Sequence, residues 1–403
     1  MRVNLSRQPH QLEKLTASAS EIKSYLKDIN EVINFKNYQK GEAFLLTPFE
    51  ESQIISILDL KKKIPAKNLQ KIYVLGIGGS SQGTKAVYEL LKNKRQLIDL
   101  EVIDYIDSEK VLKTISEIKK FEPEEYLFFV VSKSGSTTET LYNFELIEKH
   151  TKLNFERVIF ITDENSSLVT YAKHKESNFL TIPKKISGRF SVFTNCGLAP
   201  LAFCGVNIIK LLEGAMIQIN EINSEENNAL LSATSKYLSK KIILENLYPN
   251  RHFGELGKWE KQLFNESLGK SSNIPFTSFG NFYLELHSSL QYYLNSKNMF
   301  LSTLYLKDED PLILKNSNLL AKNFDNSDTE EIRRGIYNSV LKEFEKNLLP
   351  AISVEWETLD EKEIGSYLQF KMNEVYFLAR FFDVNPFDQP EVQSYKQELH
   401  KYI

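Results

Sequence analysis

The sequence predicts an α/β protein made of two αβα sandwich domains on doubly wound, mainly parallel sheets, with further helices toward the C-terminus. Two observations carry this expectation. Short runs rich in β-branched and aromatic residues alternate with helix-like segments, and the runs are almost continuously apolar, as strands covered on both faces must be. The chain's 403 residues also exceed what one ordinary core accommodates and suit two domains.

Taken in order, residues 1–66 read as a helical extension, with some loop, that packs on the core and closes at the break PAKN (65–68). Strands are then expected at IYVLGI (72–77), DLEVIDYI (99–106), YLFFVV (126–131), RVIFIT (157–162) and NFLTI (178–182). Between them lie helix-like segments such as TKAVYELLKNK (84–94) and TETLYNFELIEKH (138–150). From 190 to 247 the apolar spacing turns helical, ending at NLYPN (246–250). A second, less regular half follows, with strands expected at IPFTSF (274–279), MFLSTLYL (299–306) and AISVEWE (351–357). Helices are expected there at 255–268, 284–295, 328–347, 361–380 and 390–402. The division expected is an extension over 1–66, a first sandwich carrying the ligand-binding loops over 67–215, and a second sandwich with the C-terminal helix over 216–403. In such sheets the ligand sits beyond the carboxyl ends of the strands.

Composition narrows the function. Fifty Lys and Arg against 53 Asp and Glu give a net charge of −3, so the whole molecule has no attraction to nucleic acid or to an anionic membrane. Apolar stretches are all too short to span a bilayer, and the polar start MRVNLSRQPHQLEK has no leader-like apolar region. Cys196 and Cys204 lie in the apolar stretch TNCGLAPLAFCGV, which suits a reducing compartment without a disulfide framework. A cytoplasmic enzyme without metal is expected, since no cluster of Cys and His has ligand spacing.

Two loops could carry chemistry. GIGGSSQGTKAV (76–87) joins a strand end to a helix start through a Gly-rich turn, which lets backbone approach an anion. It is not the dinucleotide fingerprint, because Ser81 occupies the last glycine position. SKSGSTTET (132–140) follows YLFFVV directly; its hydroxyls and Gly135 make a phosphate cradle, beyond the single hydroxyl an ordinary helix cap needs. GKS (269–271) is no P-loop, since Phe264 stands where its first glycine belongs.

These loops resemble the paired loops of the sugar-isomerase (SIS) domain. Four more stretches narrow the resemblance to the glucose-6-phosphate isomerase family: ISGRFSVFTNCGLAPLAF (186–203), WEKQLFNESLGKS (259–271), LELHSSLQYYL (284–294) and VNPFDQPEVQSYK (384–396). They occur in the family's order, from about residue 72 onward. The resemblance implies reversible conversion of glucose 6-phosphate to fructose 6-phosphate in glycolysis and gluconeogenesis, through ring opening and a cis-enediolate, without a cofactor. It implies that Glu266 shuttles the proton between C2 and C1, that His287 opens the ring with help from Lys396, and that Arg189 stands beside the enediolate. Ser132, Ser134, Ser136 and Thr137 match the phosphate-binding hydroxyls, with Lys133 inside their loop. Gly79 and Ser80 match the neighbouring Gly-Ser, and Gln389 a residue that positions the substrate chain. A homodimer is implied, with His287 reaching the neighbouring subunit's site.

The chemistry asks for the same residue types. A carboxylate can carry a proton from one carbon to the next. A permanently charged guanidinium stabilises an enediolate, and an imidazole exchanges protons near neutral pH. A held phosphate supplies binding energy for orientation. Taken singly, Glu266 or Lys396 would mark a solvated face and His287 a satisfied core histidine; their combination with the loops points to catalysis. Leu268 and Glu391 depart from the residues common in the family, which bears on substrate preference. Two other readings are an isomerase that also accepts mannose 6-phosphate and a non-catalytic module that senses a sugar phosphate. The presence of Glu266, His287 and Lys396 speaks against the second.

Overall fold

The computed structural model describes residues 1–5, 19–224, 227–316, 322–399 and 402. In chain order its strands are β1 (Arg2–Leu5), β2 (Lys71–Leu75), β3 (Asp99–Ile103), β4 (Tyr126–Val131), β5 (Val158–Thr162), β6 (Asn178–Thr181), β7 (Ile243–Tyr248), β8 (Phe276–Asn281), β9 (Met299–Leu306) and β10 (Ala351–Trp356). They form two five-stranded sheets.

The first sheet runs β3-β2-β4-β5-β6, and every neighbouring pair is parallel. All residues of β2, β4 and β5 are buried, which is why these segments read as unbroken apolar runs. Alternate residues serve opposite faces. Ile72, Val74, Leu127 and Phe129 face the helices Gln82–Leu91 and Asn195–Cys204, while Tyr73, Leu75, Phe128 and Val130 face Ser108–Ile118, Thr138–His150 and Ser167–His174. The order reverses between β2 and β4, so the loops that follow these two strands splay apart and leave a crevice at their carboxyl ends.

The second sheet runs β1-β10-β9-β7-β8, parallel except where β1 pairs antiparallel with β10. One apolar cluster spans the layer between the two sheets. Its centre is the helix Glu361–Phe381, in which every residue from Ile364 to Ala379 is buried. A helix buried all round must pair its polar groups internally. Lys371 Nζ lies 2.8 Å from both Glu260 and Glu374, and Lys236 Nζ lies 2.7 Å from Glu374. The Tyr367 hydroxyl donates to Glu260 at 2.9 Å.

The sequence reading differs from this structure in three places. It assigns helix up to 247, but the helix Asn228–Ser239 ends at Lys240, whose φ of +53° is left-handed, and β7 follows inside its sheet, between β9 and β8. It places no strand before 72, whereas Arg2–Leu5 forms an edge of the second sheet. The helix expected over 284–295 is broken into Phe282–Glu285 and Leu290–Asn295. The hydroxyls of Ser288 and Ser289 both bond to the Glu285 carboxylate, giving that segment an alternative to continuous helix. Of the helix expected over 390–402, Pro390–Leu399 is seen; residues 400, 401 and 403 lie outside the described residues. Among the described residues no helix is long and apolar enough to cross a membrane.

Candidate active site

The loop after β2 makes a single turn, Gly78–Ser80, and Gly78 takes φ +59°. Gly79 packs backbone to backbone on Gly188: a Cβ on Gly79 would lie 2.1 Å from the Gly188 carbonyl carbon, so no other residue fits there. Ser191 Oγ lies 3.1 Å from Gly79 O and 2.7 Å from Gly188 O, and its one proton ties the two loops together.

The loop after β4 is closed by its own hydroxyls. Ser132 is fully buried; its Oγ lies 2.8 Å from Thr137 Oγ1 and accepts from Thr137 N–H at 3.3 Å. Ser134 Oγ accepts from Ser136 N–H at 3.2 Å and from Ser136 Oγ at 3.0 Å. Gly135, at φ +70°, turns the chain between them. Thr137 stands at the N-cap of the helix Thr138–His150 without capping it through its side chain, so the first backbone N–H groups of that helix remain to be satisfied. Lys133 Nζ donates to Ile186 O at 2.7 Å; burial holds its pKa below the usual lysine value, with Asp163 offsetting part of that.

The charged groups of the site come from further along the chain. Glu266 lies in the last turn of the helix Gly254–Leu268, and its Oε1 is 2.9 Å from Arg189 Nη1. Gln262, one turn earlier, donates to Glu266 Oε2 at 3.0 Å. Arg189 is buried. Its Nε donates to Ser267 Oγ at 2.8 Å, and its Nη2 donates to the carbonyls of Pro386 and Asp388 at 2.6 and 2.8 Å. Burial lowers the guanidinium pKa, Glu266 and Asp388 work against that, and an arginine stays charged in either case. Lys270 Nζ, 2.8 Å from Asp388 Oδ1, braces the same turn.

These groups open onto one cavity of about 820 Å³. Of the residues singled out from the sequence, Gly79, Ser80, Lys133, Ser134, Thr137, Arg189, Glu266 and Gln389 line it. Ser132 and Ser136 do not; they shape the loop from behind and from its outer side. His287 also stands apart from the cavity, exposed in the turn between the two short helices. Beside it in sequence, Leu286, Leu290 and Leu294 pack against the core of the same chain, while Leu284 and Tyr292 are exposed. Lys396 falls on the helix Pro390–Leu399, and its side chain lies outside the described residues. The sequence reading missed Gln262 and Phe387, which also line the cavity. Gln262 was within reach, since a residue four positions before Glu266 on a helix shares its face. Among the described residues no three His, Cys, Asp or Glu side chains gather in a way that could hold a metal ion.

The Phosphoglucose isomerase family profile matches residues 59–244. The glucose-6-phosphate isomerase of Methanocaldococcus jannaschii is 31% identical over 372 residues, covering 86% of this chain and 87% of that protein. A crystal structure of a hypothetical protein from Thermus thermophilus superposes with a TM-score of 0.88 at 21% identity, covering 100% of this chain and 99% of that one. The glucose-6-phosphate isomerase of Chlamydia trachomatis superposes with a TM-score of 0.76 at 20% identity, covering 90% of this chain and 75% of that one. At these identities the two superpositions speak to the fold.

Proposed function

The chain belongs to the glucose-6-phosphate isomerase family of enzymes, and from that membership we propose that it interconverts glucose 6-phosphate and fructose 6-phosphate. Ser134 and Thr137 hold the phosphate with the open N-terminus of the helix Thr138–His150, across from Gly79 and Ser80. Ser132, Lys133 and Ser136 keep that loop in shape. Glu266 takes the proton from C2 of the open-chain sugar and returns it to C1, while the carbonyl passes from C1 to C2. Arg189 stabilises the cis-enediolate formed between the two transfers. Gln262 holds the carboxylate oxygen that Arg189 does not, and Gln389 positions the sugar chain. The observation that carries this reading is that the Arg189–Glu266 pair and the hydroxyl loop open onto one cavity.

His287, assisted by Lys396, opens the sugar ring, and it does so across a homodimer interface. Its exposure outside its own chain's cavity, next to exposed Leu284 and Tyr292, supports that reading. The place of the reaction is glycolysis and gluconeogenesis in the cytoplasm, in keeping with two buried free thiols. A coupled assay with glucose 6-phosphate and mannose 6-phosphate tests the substrate: turnover of the first is expected, and its absence would overturn the proposal. Co-refolding of Glu266→Gln with His287→Ala tests the shared site. If His287 acts in trans, random pairing restores roughly a quarter of wild-type activity; no recovery would place the histidine in its own chain.

A further inference from the structure

The N-terminal segment reaches the site through Gly41. This residue begins the turn Gly41–Leu45, and a Cβ there would lie 2.2 Å from Phe387 Cδ2 and 2.4 Å from Phe387 Cγ. Cγ is the root of the ring, so the whole ring would have to move rather than its tip. The ring is seated among other aromatics: its centroid is 5.4 Å from that of Phe190 and 6.2 Å from that of Phe44. Its own backbone N–H donates to Asn385 Oδ1 at 3.0 Å. Phe387 stands between Pro386 and Asp388, the two residues whose carbonyls hold Arg189 Nη2. It also forms the wall between the catalytic cavity and a second cavity of about 310 Å³ lined by Tyr25, Glu42, Arg380 and Asp383. A displaced ring therefore has room to swing into, and it would take the turn with it.

We propose that Gly41 is a positioning residue for Arg189: by carrying no side chain it seats the Phe387 ring, and the seated ring fixes the two carbonyls that aim the guanidinium. The inference rests on the role given to Arg189 above. Nothing in the N-terminal segment has to touch substrate for it to hold.

The test is a double-mutant cycle. Gly41→Ala is expected to lower kcat by about 10- to 100-fold, the cost of a misplacement near 1 Å at a reacting group, with KM within about twofold because the phosphate loop is untouched. In a Phe387→Ala background the clash has no partner, and Gly41→Ala is expected to change kcat by less than about twofold. An equal cost in both backgrounds, or a wild-type kcat for Gly41→Ala, overturns the proposal. A purely structural role would instead lower Tm where Phe387 is present and leave the kcat of the folded protein alone. If Gly41→Ala gives no folded protein, Phe387→Leu takes its place: a lowered kcat at constant KM is expected, and an unchanged kcat overturns the proposal. Crystal structures of these variants read the same point without turnover, since retention of both Arg189 Nη2 bonds would overturn it as well. Arg189→Lys, assayed alongside, keeps the two readings apart. If it keeps the wild-type kcat, the arginine's role fails; if it is inactive while the cycle shows no coupling, only the present inference falls.

Discussion

Both sheets reverse their strand order once, the first between β2 and β4 and the second between β7 and β9. Each crossing strand, β4 or β9, leads on to a helix. In the first half that helix, Thr138–His150, starts directly after the hydroxyl loop, and no side chain caps it. In the second half residues 307–328 intervene, and the helix Thr329–Lys346 is closed by its own capping box between Asp328 and Glu331. The strand end there reads Lys307-Asp308-Glu309-Asp310; Asp308 accepts from Thr329 Oγ1 at 2.9 Å, and Glu309 pairs with Lys94. One winding scheme thus offers two helix starts at which an anion could sit. Carboxylates occupy and repel at the second, hydroxyls and open N–H groups invite at the first. The second half contributes through the far end of a helix instead. Gly254–Leu268 begins beside β7, where Glu255 accepts from Gln82 at 2.9 Å, and ends with Glu266 at the first sheet's loops. In the proposed mechanism, binding falls to one half and proton transfer to the other.

The strongest way to break this division is Glu266→Gln. If the helix end supplies only the chemistry, kcat falls by about 10²–10⁴-fold or more while KM stays near its wild-type value. Steady-state kinetics decide it: near-normal turnover removes Glu266 from the mechanism, and a large rise in KM means that the two tasks are not divided.

Next in size is Lys371→Met, which probes the charged cluster inside the buried helix between the two sheets. It leaves Glu260 and Glu374 buried without their shared cation, and breaking such a pair costs about 3–5 kcal/mol. Denaturant unfolding should show that loss. The pH dependence has a definite sign. Burial alone would raise the Glu374 carboxyl, but the Lys236 and Lys371 ammonium groups outweigh it and hold the pKa down to about 2, from 4.5. A depressed carboxylate contributes stability above its unfolded value, and that contribution is lost as pH falls from about 4.5 toward 2. Glu374→Gln should flatten the stability curve across this window; an unchanged curve would show that the Glu374 carboxyl titrates alike in the folded and unfolded chain.

Thr137→Ala sharpens the comparison from the binding side. On the proposed phosphate site it removes one hydrogen bond to a charged group, worth about 1.5–3 kcal/mol, and should appear as a higher KM at nearly constant kcat. Ser132→Ala should act differently, because Ser132 Oγ bonds Thr137 rather than lining the cavity. It should lower Tm together with the affinity. Equal KM values for wild type and Thr137→Ala would put the phosphate elsewhere.

The strands β4 and β9 were legible to the residue, because a strand buried on both faces writes itself as a run of apolar residues, unbroken in β4 and interrupted in β9 only by Ser302 and Thr303. β7 lies inside its sheet, between β9 and β8, and was missed because it carries the buried Glu245 and Asn246. Glu245 is tolerated there through the hydroxyls of Ser278 and Tyr293, partners that no local pattern announces. The loops and Glu266 were legible through motif and resemblance. The carbonyls that aim Arg189 were not: they lie almost two hundred residues away, and a backbone acceptor has no sequence signature. Nor does a segment such as 284–295 reveal that two serines will turn to a glutamate and split the helix.

The smallest expected effect falls on the silent strand end, where Glu309→Gln should change almost nothing. Glu309 and its partner Lys94 are each about a third exposed, and exposed pairs contribute about 0–1 kcal/mol. The substitution removes one negative charge from the Lys307–Asp310 stretch but leaves the Asp328–Glu331 box closing the helix. If anion binding at such a helix start requires open N–H groups, removing a nearby charge is not enough to create a site. KM, kcat and inhibition by inorganic phosphate should then match wild type. A new phosphate-dependent inhibition, or a Tm rising with phosphate beyond that of wild type, would show that repulsion rather than capping kept the second helix start empty. The contrast between the halves would then rest on one charge instead of on the whole cap.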